Sequence, residues 1–488
     1  MKNQVDLFFF FLQTLSKKGA KNMKRILQSL MMISIISTSL SSVFACVKKY
    51  NFDNSIWVIT DGGTVNDLAF NQSAWEGASK YVFAQKNQIV PPQNWKSSNW
   101  RASYFESVSQ TPGDYKNAYI TSSITGTKTL VLPGFNHGNT IGWAASLVDN
   151  IIYIDGSSQN IHLNMDQKAP LAKNIIGITY QAEASGFYAS LATSIYLNAH
   201  KNEYNGQLKV GSYGGMDNPV AVSNYMWGFL VGIDLFNTII NSSVNSKWNN
   251  IKHNILNQVQ NINPEITTLQ SIVKVQNVLK QNESWFSQSF QAGDGKIISD
   301  ELLARGASII FPVAGAQVQD TINQIKVNKV NVKIVGVDTE QSKIYGENYV
   351  VTSALKQIAT STFDALKNIY SAQCGYDAQN NIWDETKQTS NCWINTSQTS
   401  LDHPSWTGIE TTKWVKQDLV DFLHNTTDDH SKDTLFDKIV KILQYAYKSG
   451  IDNHAPISAQ NFINTLQNTY ETQTKLKTYL LAAIEKVL

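Results

Sequence analysis

From about residue 55 the chain repeats one block: a short apolar run, a turn rich in glycine, and a helical stretch. "SIWVITDGG" ends in glycines and passes into "QSAWEGASKYVFA", whose apolar spacing is helical. "TLVLPGFNHG" repeats the design, with Leu130, Val131 and Leu132 leading into Gly134, and a helix is expected over "NTIGWAASLVDN". The runs "NIIYIDGS", "NIIGITY", "KVGSYGG", "ASIIFPVAG" and "VKIVGVD" follow. Short runs that are apolar throughout predict parallel strands buried on both faces, and the helical stretches between them supply the crossovers. Helices are expected in "EASGFYASLATSIYLNA", "VSNYMWGFLVGIDLFNTII", "AQVQDTINQIKV" and "SALKQIATSTFDALKNIY". The fold class is therefore α/β, doubly wound.

These strands are too many for one comfortable lobe, and the block pattern restarts near Gln181. The expected organisation is two similar lobes, 50–180 and 181–338. The chain crosses back near 339–356, and part of 339–374 belongs to the first lobe. Ligands of open α/β sheets bind at the carboxyl ends of the strands, so two facing lobes form a cleft closed by a hinge. Residues 242–300 are rich in Asn and Gln around an expected helical core, "TTLQSIVKVQNVLKQ". Residues 375–408 read as a polar insertion holding Trp383, Trp393 and Trp406. Three amphipathic stretches in 409–488 form a C-terminal helical region, either packed on a lobe or standing as an appendage.

The start of the chain carries a different pattern. Met23-Lys24-Arg25 precedes "ILQSLMMISIISTSLSSVFAC", a basic region, an apolar stretch and small residues before Cys46, as in a secretory signal. "SVFAC" looks like a bacterial lipobox, in which Cys46 is lipidated. The serine content argues against a plain transmembrane anchor, which needs about 20 largely apolar residues. Residues 1–45 are thus read as a signal segment, with 1–22 lying ahead of a start-competent Met23 in the manner of a mis-assigned translation start. The expected location is the outer face of the cell membrane, through a lipid anchor.

Composition narrows the function. The formal net charge of +2 lacks the clustered basic excess of a nucleic-acid binder. With Cys46 assigned to lipid, Cys374 and Cys392 remain; their spacing fits either a disulfide or two free thiols. No Cys/His cluster suggests a metal, and no cofactor is expected.

Chemistry gathers at the strand ends. Asp61-Gly62-Gly63, the run Gly134 to Asn139, Gly214-Gly215-Met216-Asp217, Gly315-Ala316-Gln317 and Gly336-Val337-Asp338 all end strands. Glycines there let a ligand approach backbone N–H groups. A strand-end carboxylate accepts hydroxyl or amine hydrogens, and an aromatic at the helix entrance offers a flat face. Asp61 and Phe70 are read as ligand residues; Asp67, close ahead of the helix, is read as its cap.

"TDGGTVNDLAFNQSAWEG" resembles the signature of the basic membrane protein (BMP) family of substrate-binding lipoproteins, which includes purine nucleoside receptor A types. The likeness continues through "LVLPGFNHG", "VGSYGGMDNPVAVSNYMWGFLVGI", "GASIIFPVAGAQVQD" and "VGVDTEQSKIYGENYVVTSALK". It implies a type I periplasmic-binding-protein fold, a nucleoside between the lobes, and delivery to an ABC permease with its ATPase subunits. By the same resemblance Asp61 is the strand-end aspartate, and Phe70 and Tyr225 sandwich the base. Gly315 lines the sugar, and Asp338 with Lys356 grips the ribose hydroxyls. Asn139 stands near a position where the family often has a carboxylate that reads the base edge; His137 is a second candidate there. A monomer is expected, with no nucleic-acid partner.

Two other function classes are weighed against this one. An enzyme on the same layers would need a catalytic motif. "GTKT" at Gly126 lacks the phosphate-loop order, Ser212 has Val210 where a nucleophile elbow needs glycine, and no G-x-G-x-x-G follows the first strand. Asp61 with His137 is the one acid–base pair on offer. A surface adhesin, using the C-terminal helices for contact, suits the lipid anchor equally well.

Overall fold

The computed structural model describes residues 54–87, 100–107, 109–218, 220–243, 248–275, 285–380, 382–396, 406–427 and 429–451. Cys46 and the signal segment lie outside the described residues.

The first sheet holds β1 (Asn54–Ile59), β2 (Trp100–Phe105), β3 (Thr127–Pro133), β4 (Asn150–Ile154) and β5 (Ile175–Ile178), all parallel, in the order β2-β1-β3-β4-β5. Its helices are α1 (Phe70–Asn87), α2 (Pro112–Ile124) and the short α3 (Ile141–Ala145). β4 and the edge strand β5 are buried along their whole length, as expected of parallel strands covered on both faces. The core of this lobe forms two clusters, one on each face of the sheet.

The second lobe begins with α4 (Ala182–Ala199). It continues through β6 (Lys209–Gly214), α5 (Ser223–Ile240), α6 (Asn249–Ile262), β7 (Val273–Lys274), α7 (Lys296–Ala304), β8 (Ile309–Val313), α8 (Val318–Asn328), β9 (Lys333–Asp338), α9 (Ser342–Tyr345) and β10 (Val350–Lys356). The sheet order is β7-β6-β8-β9-β10. Numbered within its own lobe this is again 2-1-3-4-5, so the two lobes are topological repeats. Such paired lobes make up the type I periplasmic-binding-protein fold. Residues 267–272, within the stretch expected as a helical core, are not helical, and Val273 and Lys274 form the edge strand β7 beside β6. The β-branched Ile272, Val273 and Val275 favour extended backbone, and pairing with β6 prevails over the helical pattern.

β10 remains in the second sheet, so the return to the first lobe comes at Gln357, just after the 339–356 window. α10 (Ile358–Ile369) then packs along α1 and joins the first lobe's core. The polar segment after it carries the hairpin β11 (Tyr376–Asp377) with β12 (Ile382–Trp383). A Cys374–Cys392 disulfide pins it to the same core, which resolves the thiol question left open by spacing. β13 (Thr407–Ile409) adds antiparallel to β10.

Among the described residues the lobes are thus joined by three crossings, at Tyr180–Gln181, Lys356–Gln357 and Trp406–Thr407. They lie side by side. The Gln357 N–H donates to the Trp406 carbonyl at 2.7 Å; the Ser185 hydroxyl donates to the Leu355 carbonyl at 2.8 Å and accepts from the Gly408 N–H at 3.0 Å. Gln181 and Gln357 share one backbone conformation, φ −78°, ψ 57°.

Helix α4 is buried along its whole length. On one side it meets α5, at Gly186 and Gly228. A Cβ on Gly228 would lie 2.0 Å from the Glu183 carbonyl oxygen, and one on Gly186 would lie 2.2 Å from that of Tyr225. Part of its other surface is covered by α11 (Gln417–Leu423) and α12 (Leu435–Ile451). These C-terminal helices therefore pack on the second lobe. A buried carboxylate, Asp437, fastens them: it accepts from the Tyr188 hydroxyl, the His424 ring and the backbone N–H groups of Asn425 and Thr434.

Candidate functional site

The carboxyl ends of both sheets open onto one cleft of about 540 Å³. From the first lobe it is lined by Asp61 after β1, Phe70 and Asn71 at the start of α1, Phe135 after β3 and Asp155 after β4. From the second come Phe290, Gly315 after β8, Asp338 at the end of β9 and Tyr345 on α9. Five carboxylates are on the wall (Asp61, Asp67, Glu106, Asp155 and Asp338), and the described lining residues include no lysine, arginine or histidine.

The turn from β1 to α1 shows how local sequence builds this wall. Asp67 caps α1: its carboxylate accepts the backbone N–H groups of Ala69, Asn71 and Gln72 at 3.0, 3.0 and 3.1 Å, which satisfies donors that a helix start leaves open. Glu106 steadies the same turn by accepting the Val65 N–H at 3.0 Å. Asp61 is held through its carbonyl, which accepts the Tyr115 hydroxyl at 2.6 Å. Its carboxylate accepts a long bond, 3.4 Å, from the Asn136 side chain, and the backbone of Asp61 and Asn136 also acts on it. Gly134, at φ +107°, lets β3 pass close by; a Cβ there would lie 1.8 Å from the Asp61 Oδ2.

Three strand-end aspartates titrate abnormally. Burial pushes Asp61 up to about 7, and the charges of Asp67 and Asp155 push the same way. Burial also raises Asp338 to about 6, with Lys356 pulling against it. Asp155 is raised too, because its burial outweighs the lysine beside it. Desolvation disfavours the charged form in each.

Of the residues singled out in the sequence, Asp61, Phe70, Gly315 and Asp338 line the cleft. Lys356 lies behind the wall. Its ammonium donates to Asp155 Oδ2 at 2.7 Å and to the Ala221 carbonyl at 3.2 Å. It also lies 5.8 Å from the Phe70 ring centroid, 4.9 Å from that of Tyr225 and 5.6 Å from that of Tyr180.

Tyr225 is fully buried, so the expected Phe70/Tyr225 sandwich is corrected: both rings face the ammonium. The Tyr225 ring stands edge-on to Phe311, and its hydroxyl donates to Asp338 Oδ1 at 3.1 Å. The hydroxyl that Tyr has over Phe thus fixes a cleft carboxylate. Asn139 is exposed and off the wall, because the 3-10 turn Phe135–Asn139 directs its last residue outward and Asn136 toward Asp61. His137 is fully buried. Its ring bonds the Tyr119 hydroxyl at 2.7 Å and the Ile59 carbonyl at 2.9 Å. Burial lowers its pKa to about 3, so it is a neutral brace under β1.

Sequence reasoning passed over Asp155 and Phe290. Asp155 had a visible signal, since "NIIYID" and "KIVGVD" end the fourth strand of each lobe in the same way. Phe290 had none; it sits in the Asn- and Gln-rich stretch and reaches the cleft only through tertiary packing. It faces Phe135 across the cleft with ring centroids 6.4 Å apart and planes at 64°.

Two like lobes, with polar and aromatic groups from both on one cleft, define a two-lobed α/β fold with an inter-lobe cleft. Comparison with known proteins makes this specific. Residues 54–254 match the Bmp family, described as ABC transporter substrate-binding protein PnrA-like. Over this segment, somewhat under half of its length, the chain is similar to that family. It is 25% identical over 360 residues to the uncharacterized lipoprotein MG040 homolog of Mycoplasma pneumoniae, covering 64% of this chain and 54% of that one. It is 22% identical over 371 residues to lipoprotein MG040 of Mycoplasma genitalium, covering 64% and 60%. The match thus spans little more than half the length of these two relatives. The Lactococcus lactis ABC transporter nucleoside-binding protein BmpA is 22% identical over 333 residues, covering 65% of this chain and 75% of that one. Among solved structures, an ABC transporter solute-binding protein of Aeropyrum pernix superposes with TM-score 0.47 at 16% identity, covering 89% of this chain and 99% of that one.

Proposed function

We propose that this chain is the solute-binding subunit of an ABC importer, which takes a nucleoside into the cleft between its lobes and delivers it to a permease and its ATPase. In this reading a lipid on Cys46 holds it to the outer face of the cell membrane; the described residues include no helix long and apolar enough to cross a membrane, and two relatives are lipoproteins by name. The observation that carries the proposal is the composition of the cleft wall: aromatic rings from both lobes together with carboxylates from both lobes. A flat heterocycle gains about 1–3 kcal/mol from stacking on an aromatic side chain. Carboxylates accept the O–H and N–H groups in which a nucleoside is rich. The same carboxylates repel a phosphate, so nucleosides bind in preference to nucleotides. The nucleoside-binding relative points the same way.

Calorimetric titration with the four common ribonucleosides, their 5′-monophosphates and free ribose tests the reading. We expect at least one ribonucleoside to bind in the micromolar range or tighter, with its monophosphate at least about 100-fold weaker. Binding of monophosphates alone, or of none of the panel, refutes it. Replacing Cys46 with Ser should release the protein from the membrane fraction; retention there would refute the lipid anchor.

A further inference from the structure

Asp155 is held on one side only. Its Oδ2 takes the Lys356 ammonium at 2.7 Å, with each side chain 1% exposed. Its Oδ1 has no hydrogen-bond partner, although the residue lines the cleft. Buried carboxylate oxygens without a donor are uncommon and costly. On the wall of a binding cleft, an oxygen in this state is matched by a donor that arrives with the ligand.

The repeat of the lobes gives this atom a counterpart. Asp155 follows β4 and Asp338 ends β9, the fourth strands of sheets with the same order. Both residues take the left-handed conformation, at φ +58° and +63°, which is unusual for a residue other than glycine. The chain therefore turns in the same sense at both positions and delivers a carboxylate to the cleft from each lobe. Lys356 pairs with the first, and its charge acts on the second. The Tyr225 hydroxyl occupies Asp338 Oδ1.

We propose that Asp155 is a ligand-contacting residue whose Oδ1 accepts a ribose hydroxyl, so that the sugar diol is gripped by one carboxylate from each lobe. The inference rests on the nucleoside reading above and extends it to the sugar. It accounts for the buried ion pair between lobes. Lys356 fixes Asp155 in place and leaves one oxygen for the ligand, so a sugar carrying both hydroxyls bridges the two halves and a sugar lacking them does not.

The test compares each ribonucleoside (adenosine, guanosine, cytidine and uridine) with its 2′,3′-dideoxy counterpart, on the wild-type chain and on Asp155→Asn, by calorimetry. The wild type should bind the ribonucleoside roughly 10- to 100-fold more tightly, the range for hydrogen bonds to a charged acceptor. In Asp155→Asn the ribonucleoside should weaken about tenfold or more while the dideoxy compound changes by less than about threefold, so the gap narrows. Asp155→Glu keeps a charge opposite Lys356 but displaces the free oxygen by a methylene. It should narrow the gap as well, and it supplies the measurement if Asp155→Asn does not fold. Equal weakening of both ligands would show that Asp155 only holds Lys356, and would overturn the proposal. A gap as wide as in the wild type would do the same, with the nucleoside reading left standing. Failure of every ribonucleoside to bind the wild type would overturn both.

Discussion

Asp61 holds a charge where folding alone would not place one, and this gives a measurable consequence. In the folded chain its pKa is raised from 3.8 to about 7, chiefly by burial and next by Asp67 and Asp155. Each unit corresponds to about 1.36 kcal/mol, so full conversion gives about 4 kcal/mol. Asp61 keeps part of its surface on the cleft, where water screens the charge, so the expected cost is about 2–4 kcal/mol. The sign follows from linkage. Below about pH 4 both folded and unfolded chains hold the proton, and no penalty exists. As pH rises toward 7 the unfolded chain releases the proton first, so stability falls, and above about pH 7 the penalty is complete. Asp61→Asn keeps the shape and removes the titration. It should therefore match the wild type at pH 4 to within about 0.5 kcal/mol and exceed it by about 2–4 kcal/mol at pH 8. Urea unfolding followed by tryptophan fluorescence reads this, since Trp57 on β1 and Trp75 on α1 report on the lobe that carries Asp61. The same variant should bind the ligand roughly 10- to 100-fold more weakly, because a charged acceptor is lost. Equal stability at pH 8, or a gain of the same size at pH 4, would refute the account of Asp61.

Four further outcomes are expected. Gly134→Ala, with its methyl driven into the Asp61 carboxylate at a φ of +107°, should cost about 1–3 kcal/mol and weaken ligand binding; wild-type urea midpoints and affinity together would contradict this. Cys392→Ser opens a loop of sequence separation 18 and should cost about 3 kcal/mol, read as faster tryptic cleavage at Lys387 within that loop. Burial raises the Asp437 pKa, but hydrogen bonds from His424, Tyr188 and two backbone N–H groups outweigh it and hold the group down at about 2. Its contribution is thus present at neutral pH and lost only as pH falls toward 2, and Asp437→Ala should free α11 and α12 to limited proteolysis at pH 7. Phe290→Ala should weaken the ligand by about 1–3 kcal/mol with little change in thermal stability, since the ring is only half-buried at the cleft; unchanged affinity by calorimetry would remove it from the site.

The layer architecture was legible because it rests on local pattern. Strands buried on both faces must be apolar throughout, so β1, β3, β4, β8 and β9 announce themselves, and parallel strands require the helices between them. The turn from Asp61 to Phe70 was legible for the same reason. The Asp67 cap, the glycines and the helix start are relations among near neighbours in sequence.

What the sequence could not decide were relations across the fold. Whether Tyr225 meets a ligand or a lysine depends on how deeply α5 packs against α4, and the close contacts at Gly186 and Gly228 set that depth. Lys356 was visible as a cation at a strand end; its commitment to Asp155 depends on two residues 201 positions apart in the chain meeting where the lobes face each other. Phe290 reaches the cleft from a polar part of the chain that carries no local signal for a ligand. The physical reason is common to these cases. Secondary structure follows from interactions within a few residues, whereas the depth of a side chain, and the partner that satisfies its charge, are set by packing between elements that the chain order leaves far apart.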